Sequence, residues 1–458
     1  MAVSKTVMII VIIAVIAIIA VAAFVLLNGN GNGGGNGGDD TDDYLTDKSG
    51  TAVVSSIDTK LLVFGNANND VYLNNDDVTF IQNIVDGKTK WNKTANPLAD
   101  TNADGSIDSK DVNLLKQFIA GKTAPMFYLN SYLDTVKIEF PLTGNVCVSQ
   151  TLDADMLKII GKYNLITACT MDSVDESKYP GSSKWVDVGN YPYDYESVVA
   201  ANVQITLGQP YDYDETFENL VKNGYGNYRL DMVKLHEARY IHGVDSIACT
   251  VTLGALMNCF SNTTYKEYLD YVANINDILD KATSGVTSKL TYSLVLSHAT
   301  SSPAEMAIDN QSTAEENYSD VAMAENLKLT NSYPLTNESY IRGLSIEEIL
   351  KYKPDVVFIE ESNGSQTRAD FESTVNTIAQ YFKSAGYTGT IIGIHWSVSG
   401  STASTAALPL LATYIYGTSS YSEDSAWNDL VYYYNTFLGE NYTVNELKNS
   451  IYGPFKVQ

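Results

Sequence analysis

Asp100 to Asp111 reads D-T-N-A-D-G-S-I-D-S-K-D, and no other run constrains this chain as tightly. Oxygen-bearing side chains stand at loop positions one, three, five, nine and twelve: Asp100, Asn102, Asp104, Asp108 and Asp111. Ser106 supplies a backbone carbonyl at position seven, Gly105 permits the sharp turn at position six, and Ile107 points inward at position eight. A hard cation with six to eight oxygen ligands demands this schedule, so the run is read as a Ca2+ loop. The alternative is a chance Asp/Asn turn.

A second copy of the frame lies 34 residues upstream. There the ligand places hold Asn66, Asn68, Asp70, the Tyr72 carbonyl, Asn74 and Asp77. Only two are carboxylates, against four in the later loop, and Val71 replaces glycine at position six. Fewer charges mean weaker Ca2+ binding; the alternative is a structural turn held by Asn side chains. Each loop is followed by apolar residues at helical spacing: Val78, Ile81, Ile84 and Val85 after the first, Val112, Leu115, Phe118 and Ile119 after the second. Gly87-Lys88 and Gly121-Lys122 then close the helices.

Val7 to Leu27 is an almost unbroken apolar run, preceded by Lys5 and followed by Asp39, Asp40, Asp42 and Asp43. A helix of that length spans a bilayer, and the charge order places the bulk of the chain outside the cell. A cleavable signal peptide is the rival; the length favours a retained single-pass anchor over residues 1–28. Residues 29–50 are Gly-, Asn- and Asp-rich and read as a flexible linker. The formal charge of −25 excludes a nucleic-acid partner, which needs a basic surface. Cys147, Cys169, Cys249 and Cys259 form no CxxC pair; they are buried thiols or one or two extracellular disulfides.

From residue 135 to 458 short apolar runs alternate with helical stretches: Asn145–Val148, Leu165–Ala168, Val203–Leu207, Tyr292–Leu296, Val356–Ile359 and Thr390–Ile394. The pattern is α/β with largely parallel sheet. Tyr265 to Ala282 is the strongest helix and lies mid-region. This predicts two lobes, 135–262 and 286–458, joined by one helix over 263–285.

Two loop–helix units in tandem, with Asp rather than Glu at position twelve, resemble a dockerin. The resemblance covers Asn66–Lys88 and Asp100–Lys122 and implies a small all-α, EF-hand-like module over 51–123, ordered by Ca2+ and binding a cohesin-like partner through Asn75, Asp76, Ser109 and Lys110. An independent module predicts that Asp104→Ala unfolds 51–123 and leaves the lobes folded. The later region resembles solute-binding proteins of metal-chelate ABC importers, the iron-siderophore and cobalamin type. The carrying segments are TLDADMLKIIGKYNLITACT, WVDVGNYPYDYESVVAANVQITLG, LSIEEILKYKPDVVFIEE and TGTIIGIHWSVSGSTASTAALPLLATYIYG. That resemblance implies a periplasmic-binding-protein-like fold, with Glu196 and Glu347 docking on an ABC permease.

A ligand between lobes is expected at the carboxyl ends of strands. Candidates following the strands are Asn190, Tyr191, Tyr193, His298, His395 and Trp396, with Arg239 in the KLHEARYIHG segment. Aromatic groups with an Arg suit a metal chelate or another planar or anionic ligand. No GxSxG, HExxH, P-loop or Rossmann fingerprint is present, so the chain reads as a binder rather than an enzyme. Adjacent pairs such as Glu360-Glu361 do not face each other and suggest no glycosidase chemistry. Two alternatives remain: an adhesion or scaffold-assembly protein, and a dockerin-bearing enzyme such as a glycoside hydrolase.

Overall fold

Two polar loops each hand over to a short helix at the start of the described chain. The computed structural model describes residues 59–457 with gaps, the longer ones at 208–218, 224–230, 234–238, 241–245, 310–316, 335–339 and 362–366. The expected anchor (1–28), the linker (29–50) and the first residues of the 51–123 module lie outside the described residues. Among the described residues no helix is long and apolar enough to cross a membrane.

Helix α1 (Asn75–Val85) and helix α2 (Ser109–Ile119) begin in the same way. Asn74 and Asp108 accept from the N–H of Asp76 and Lys110, while Asp77 and Asp111 reach back to the N–H of Asn74 and Asp108. These reciprocal caps satisfy donors a helix start leaves open. Each helix buries a stripe: Ile81 in α1, and Val112, Leu115 and Phe118 in α2.

The chain continues into an antiparallel hairpin, β1 (Ala124–Leu129) and β2 (Thr135–Phe140); the sequence pattern leaves the first of these strands between the 51–123 module and the lobe that starts at 135. This hairpin joins the loop pair to the first lobe. Leu61 to Phe64 lie along it fully buried, with Phe64 N–H donating to Phe127 O at 2.9 Å and Leu129 N–H to Leu62 O at 2.8 Å.

The first lobe is a parallel sheet in the order β5-β4-β3-β6-β7: β3 (Asn145–Val148), β4 (Ile166–Cys169), β5 (Val186–Asp187), β6 (Val203–Leu207) and β7 (Asp231–Val233). Helix α3 (Thr151–Ile159) follows β3, and α4 (Tyr195–Ala200) leads to β6. A two-residue strand β8 (Arg239–Tyr240) stands apart from this sheet. Helix α5 (Ser246–Leu256) is apolar almost all round and buried along its length, as such a helix must be. The four cysteines are buried and none is joined in a disulfide.

Helix α6 (Thr263–Ala282) is the connecting helix. Asn262 caps it by accepting from Tyr265 N–H at 2.9 Å. Its buried face repeats every three to four residues: Tyr265, Tyr268, Leu269, Val272 and Ile275.

The second lobe is a mixed sheet in the order β13-β10-β9-β14-β15-β16. Its strands are β9 (Thr291–Leu296), β10 (Met306–Asp309), β13 (Tyr340–Leu344), β14 (Val356–Glu361), β15 (Thr390–His395) and β16 (Phe455–Lys456). β9, β14 and β15 run parallel; β10, β13 and β16 pair antiparallel to their neighbours. Two-residue strands β11 (Asn317–Tyr318) and β12 (Thr330–Asn331) pair with β8 and β9. Helices α7 (Ile346–Leu350), α8 (Arg368–Ser384), α9 (Trp396–Ser399), α10 (Ser404–Tyr416), α11 (Glu423–Phe437) and α12 (Val444–Lys448) complete it. Tyr433 and Phe437 of α11 meet Tyr268 and Tyr271 of α6 with ring centroids 5.2 to 6.5 Å apart.

Asp429, half-buried on α11, has a buried Oδ2 without a hydrogen-bond partner among the described residues, and burial pushes its carboxyl up to about 6. A folded-state value raised above the unfolded one gives stability that is complete below about pH 4 and lost as pH rises through about 6. Asp429→Asn is therefore expected to leave stability unchanged at pH 4 and to raise it by roughly 1 kcal/mol at pH 8, allowing for solvent screening. Urea denaturation at the two pH values checks this; equal effects at both would contradict the buried-charge account.

Candidate functional site

The loop pair is the most fully built site. Both loops turn through a left-handed residue at position four, Asn69 (φ 60°) and Ala103 (φ 54°), so the two backbones follow one path. They differ at position six, where Gly105 has φ 89° and the first loop has Val71. In the second loop Asp100 accepts from Gly105 N–H at 2.6 Å and Asp104 N–H at 3.2 Å. Asp111 accepts from Asn102 N–H at 3.2 Å and Asp108 N–H at 2.8 Å, and Asp104 from Ser106 N–H at 3.0 Å. In the first loop Asp77 accepts from Ala67, Asn68 and Asn74 N–H, and Asp70 from Tyr72 N–H at 2.7 Å.

The residues of the loops fit a cation on two observations. Asp77, Asp100 and Asp111 are buried to within 1% of full enclosure, and among the described residues none pairs with a basic side chain. Burial pushes Asp77 and Asp100 up to about 6 and raises Asp111; the charges of Asp111 and Asp104 add to the rise at Asp100. A buried carboxylate in this state lacks a countercharge. Secondly, Asn66, at position one of the first loop, is fully buried, and its Oδ1 has no hydrogen-bond partner among the described residues. Its Nδ2 donates to Leu61 O and Asp70 O, both at 2.9 Å, which fixes the amide orientation and leaves the oxygen without a donor among the described residues. Among the described residues no three His, Cys, Asp or Glu side chains converge as a ready-made cage. The fit to a cation therefore comes from the ligand schedule, which also draws on Asn and carbonyl oxygens, and from the uncompensated carboxyls. Asn75, Asp76, Ser109 and Lys110 are all exposed.

The carboxyl ends of the strands present a second set of groups. Asn190 and Tyr191 lie outside the described residues, and Arg239 is described only as backbone in β8. Tyr193 is not a cleft residue: it is 2% exposed and packs with Cys147, Ala168, Val188, Val198 and Val203. Next to it, Asp194 N–H donates to Val188 O at 2.6 Å. His298 follows β9 and is exposed; partial burial and the charge of Arg342 lower its pKa. Trp396 is 40% exposed at the start of α9, and its ring lies so close to Gly400 that a Cβ there would overlap it.

His395 is buried, with its ring set between Ser397 and Glu361. Nδ1 accepts from Ser397 N–H at 3.1 Å and Nε2 lies 3.3 Å from Glu361 Oε2. Burial, with the residue 5% exposed, keeps the imidazole from opening to a cleft ligand; the Nε2–Glu361 contact is an ion pair only when the ring is protonated. Glu361 stands opposite His395 in the β14–β15 register, and Glu360 accepts from Ser399 Oγ at 2.8 Å. Sequence reasoning set this Glu pair aside because neighbours on a strand point apart. The signal it missed is across the strands, not along one. In the first lobe the equivalent end carries Ser149, whose N–H and Oγ donate to Asp153 at 2.9 and 3.0 Å, and Thr170, which donates to Ser149 O.

Glu196 and Glu347 are both exposed in the first turns of capped helices, α4 behind Asp194 and α7 behind Ser345. Two cavities share Tyr163 and Pro180: one of about 270 Å³ at the amino end of β4, lined also by Ile166, Thr167 and Trp185, and one of about 500 Å³ between Lys158 and Lys178 of the first lobe, Thr264 of α6 and Phe437–Glu440 at the end of α11.

No protein-family model matches this sequence, and no curated protein matches it. Several solved structures align with it at low identity. A periplasmic binding protein from Veillonella parvula is 12% identical, with 65% of this chain and 99% of that chain covered and a TM-score of 0.46. The TroA-like periplasmic binding protein FepB from the same organism is 13% identical over 69% of this chain and 97% of its own, with a TM-score of 0.47. A periplasmic heme-binding protein from Pseudomonas aeruginosa is 14% identical over 60% and 94%, with a TM-score of 0.41. At these levels the fold assignment stands on the strand orders and the connecting helix.

Proposed function

We propose that this chain is an exported, membrane-held solute-binding protein that serves an ABC importer and carries a Ca2+-ordered loop pair at its amino-terminal side. The observation that carries the reading is the architecture: two α/β lobes, each with parallel strands ending in polar or aromatic groups, joined by the single helix α6. A ligand held at such strand ends is gripped from two sides with little chain rearrangement. Trp396 supplies an exposed aromatic face and His298 with Arg342 a polar edge, a combination suited to a planar or anionic metal chelate of the siderophore, haem or cobalamin class. The exposed Glu196 and Glu347 are the groups for pairing with permease arginines. The exposed Asn75, Asp76, Ser109 and Lys110 are the face for a cohesin-like partner.

A melting-temperature screen with siderophores, haem, cobalamins and free metal ions tests this. A ligand at 100 times its Kd adds about 2.7 kcal/mol to the stability of the folded state. We expect one class of chelate to raise the melting temperature and Trp396→Ala to remove most of that rise. A flat response across the panel would remove the transport reading.

A further inference from the structure

Residues 59–142 are built into the first lobe rather than hung beside it. Leu61 to Phe64, Leu115 and Phe118 belong to the same buried core as Phe140, Val146, Val148, Leu256 and Tyr268. Leu62 N–H donates to Thr252 Oγ1 of α5 at 3.0 Å, and Leu142 N–H to Leu256 O at 2.9 Å. Phe118 of α2 meets Phe140 edge-on at 5.5 Å. The loops are tied to this seam directly. Gly65 N–H, one residue before Asn66, donates at 2.6 Å to Leu98 O, two residues before Asp100. The phenol of Tyr72, whose carbonyl stands at ligand position seven, donates to Asp270 of α6 at 2.6 Å.

We propose that Ca2+ bound at the loops governs the stability of the solute-binding lobe and the connecting helix, and not merely that of a separate amino-terminal handle. The inference rests on the Ca2+ reading of the loops. Its physical basis is linkage: a ligand that binds only the native state stabilises every element that unfolds with its site. A segment sharing one dry core with its neighbour, and cross-bonded to it through buried backbone, has no seam at which to unfold alone. The expectation from sequence, that Asp104→Ala unfolds 51–123 and spares the lobes, is reversed. The lobe is then held less firmly at low Ca2+ and locked at the higher Ca2+ met outside the cell, where loops of this kind bind.

The test uses the full chain in detergent micelles, with isothermal calorimetry for Ca2+ binding, scanning calorimetry for unfolding and hydrogen exchange for local stability. Saturating Ca2+ is expected to move the main unfolding transition up by about 3 °C or more. It should also slow exchange of β3, β4 and α5 amides about tenfold. Asp104→Ala, an exposed side chain whose loss leaves the core intact, is expected to abolish both effects. If Ca2+ binds but only a minor transition moves, with β3 and α5 exchange unchanged, the coupling is refuted while the Ca2+ reading survives. If no binding heat appears, the Ca2+ reading itself has failed and the inference falls with it.

Discussion

Phe118→Ala is expected to destabilise the protein by about 3–5 kcal/mol, and the loss should register in the first lobe as much as in the loop pair. Phe118 is fully buried in the last turn of α2, edge-on to Phe140 at the end of β2. Removing the ring forfeits its transfer from water and opens a void walled by two separate parts of the chain: helix α2 on one side and the hairpin on the other. Neither wall can collapse freely, since α2 is fixed by its cap at Asp108 and β2 by its ladder to β1. Urea unfolding followed by near-ultraviolet signals from the lobe tryptophans Trp185 and Trp427 reads the effect. Lys116→Ala, exposed on the same helix, is the control and should change stability by no more than about 0.5 kcal/mol. A midpoint that falls only for a small early transition would show that loops and lobe have separate cores.

That prediction comes from the feature least visible in the sequence. The individual elements were readable. Val203–Leu207 matches β6 end for end, Asn145–Val148 matches β3, and the helix expected over Tyr265–Ala282 starts two residues earlier, just after its Asn262 cap. The paired caps of α1 and α2 are built into the loop schedule, because positions nine and twelve are also the cap and its reciprocal partner. Each of these signals is local: a periodicity, a spacing or a cap.

The features that failed to show are non-local. Ala124–Leu129 carries a proline and a weak alternation, so it reads as a link between two domains; its strand character comes from pairing with β2 and from Leu61–Phe64 lying against it. Tyr193 looks like a cleft aromatic from its place after a strand, yet it packs into the core against Cys147 and Ala168, residues distant in sequence. His395 does stand at the end of β15, as its place in the sequence suggests, but its partner Glu361 sits on the adjoining strand, and register decides whether the imidazole is free. The antiparallel strands β10 and β13 were also unanticipated, because short runs interrupted by Ser, Gly and Arg give little period to read.

Gly254→Ala is expected to cost about 1–3 kcal/mol, although alanine is ordinarily the better helix former by about 1 kcal/mol. Gly254 lies inside α5, where a side chain would be welcome on propensity alone. A Cβ at this position would overlap the ring of Tyr265, the first buried residue of α6. The ring has nowhere to go: it is fully buried, its phenol donates to Val251 O at 2.5 Å, and Phe260 lies against it at 6.2 Å. The glycine is thus what lets the connecting helix cross α5 at close range, and that crossing sets where α6 leaves the first lobe. The substitution is expected to push the start of α6 away rather than unfold α5, so far-ultraviolet circular dichroism should stay near that of the parent while the melting temperature drops. Pairing it with Tyr265→Leu gives the decisive measurement. Tyr265→Leu alone loses packing and the phenol's bond, but in the Gly254→Ala background it also relieves the overlap. The double variant is therefore expected to be more stable than the sum of the two single losses, by about 1 kcal/mol or more. Strict additivity would mean that the two helices do not meet at Gly254 and that the crossing is set elsewhere.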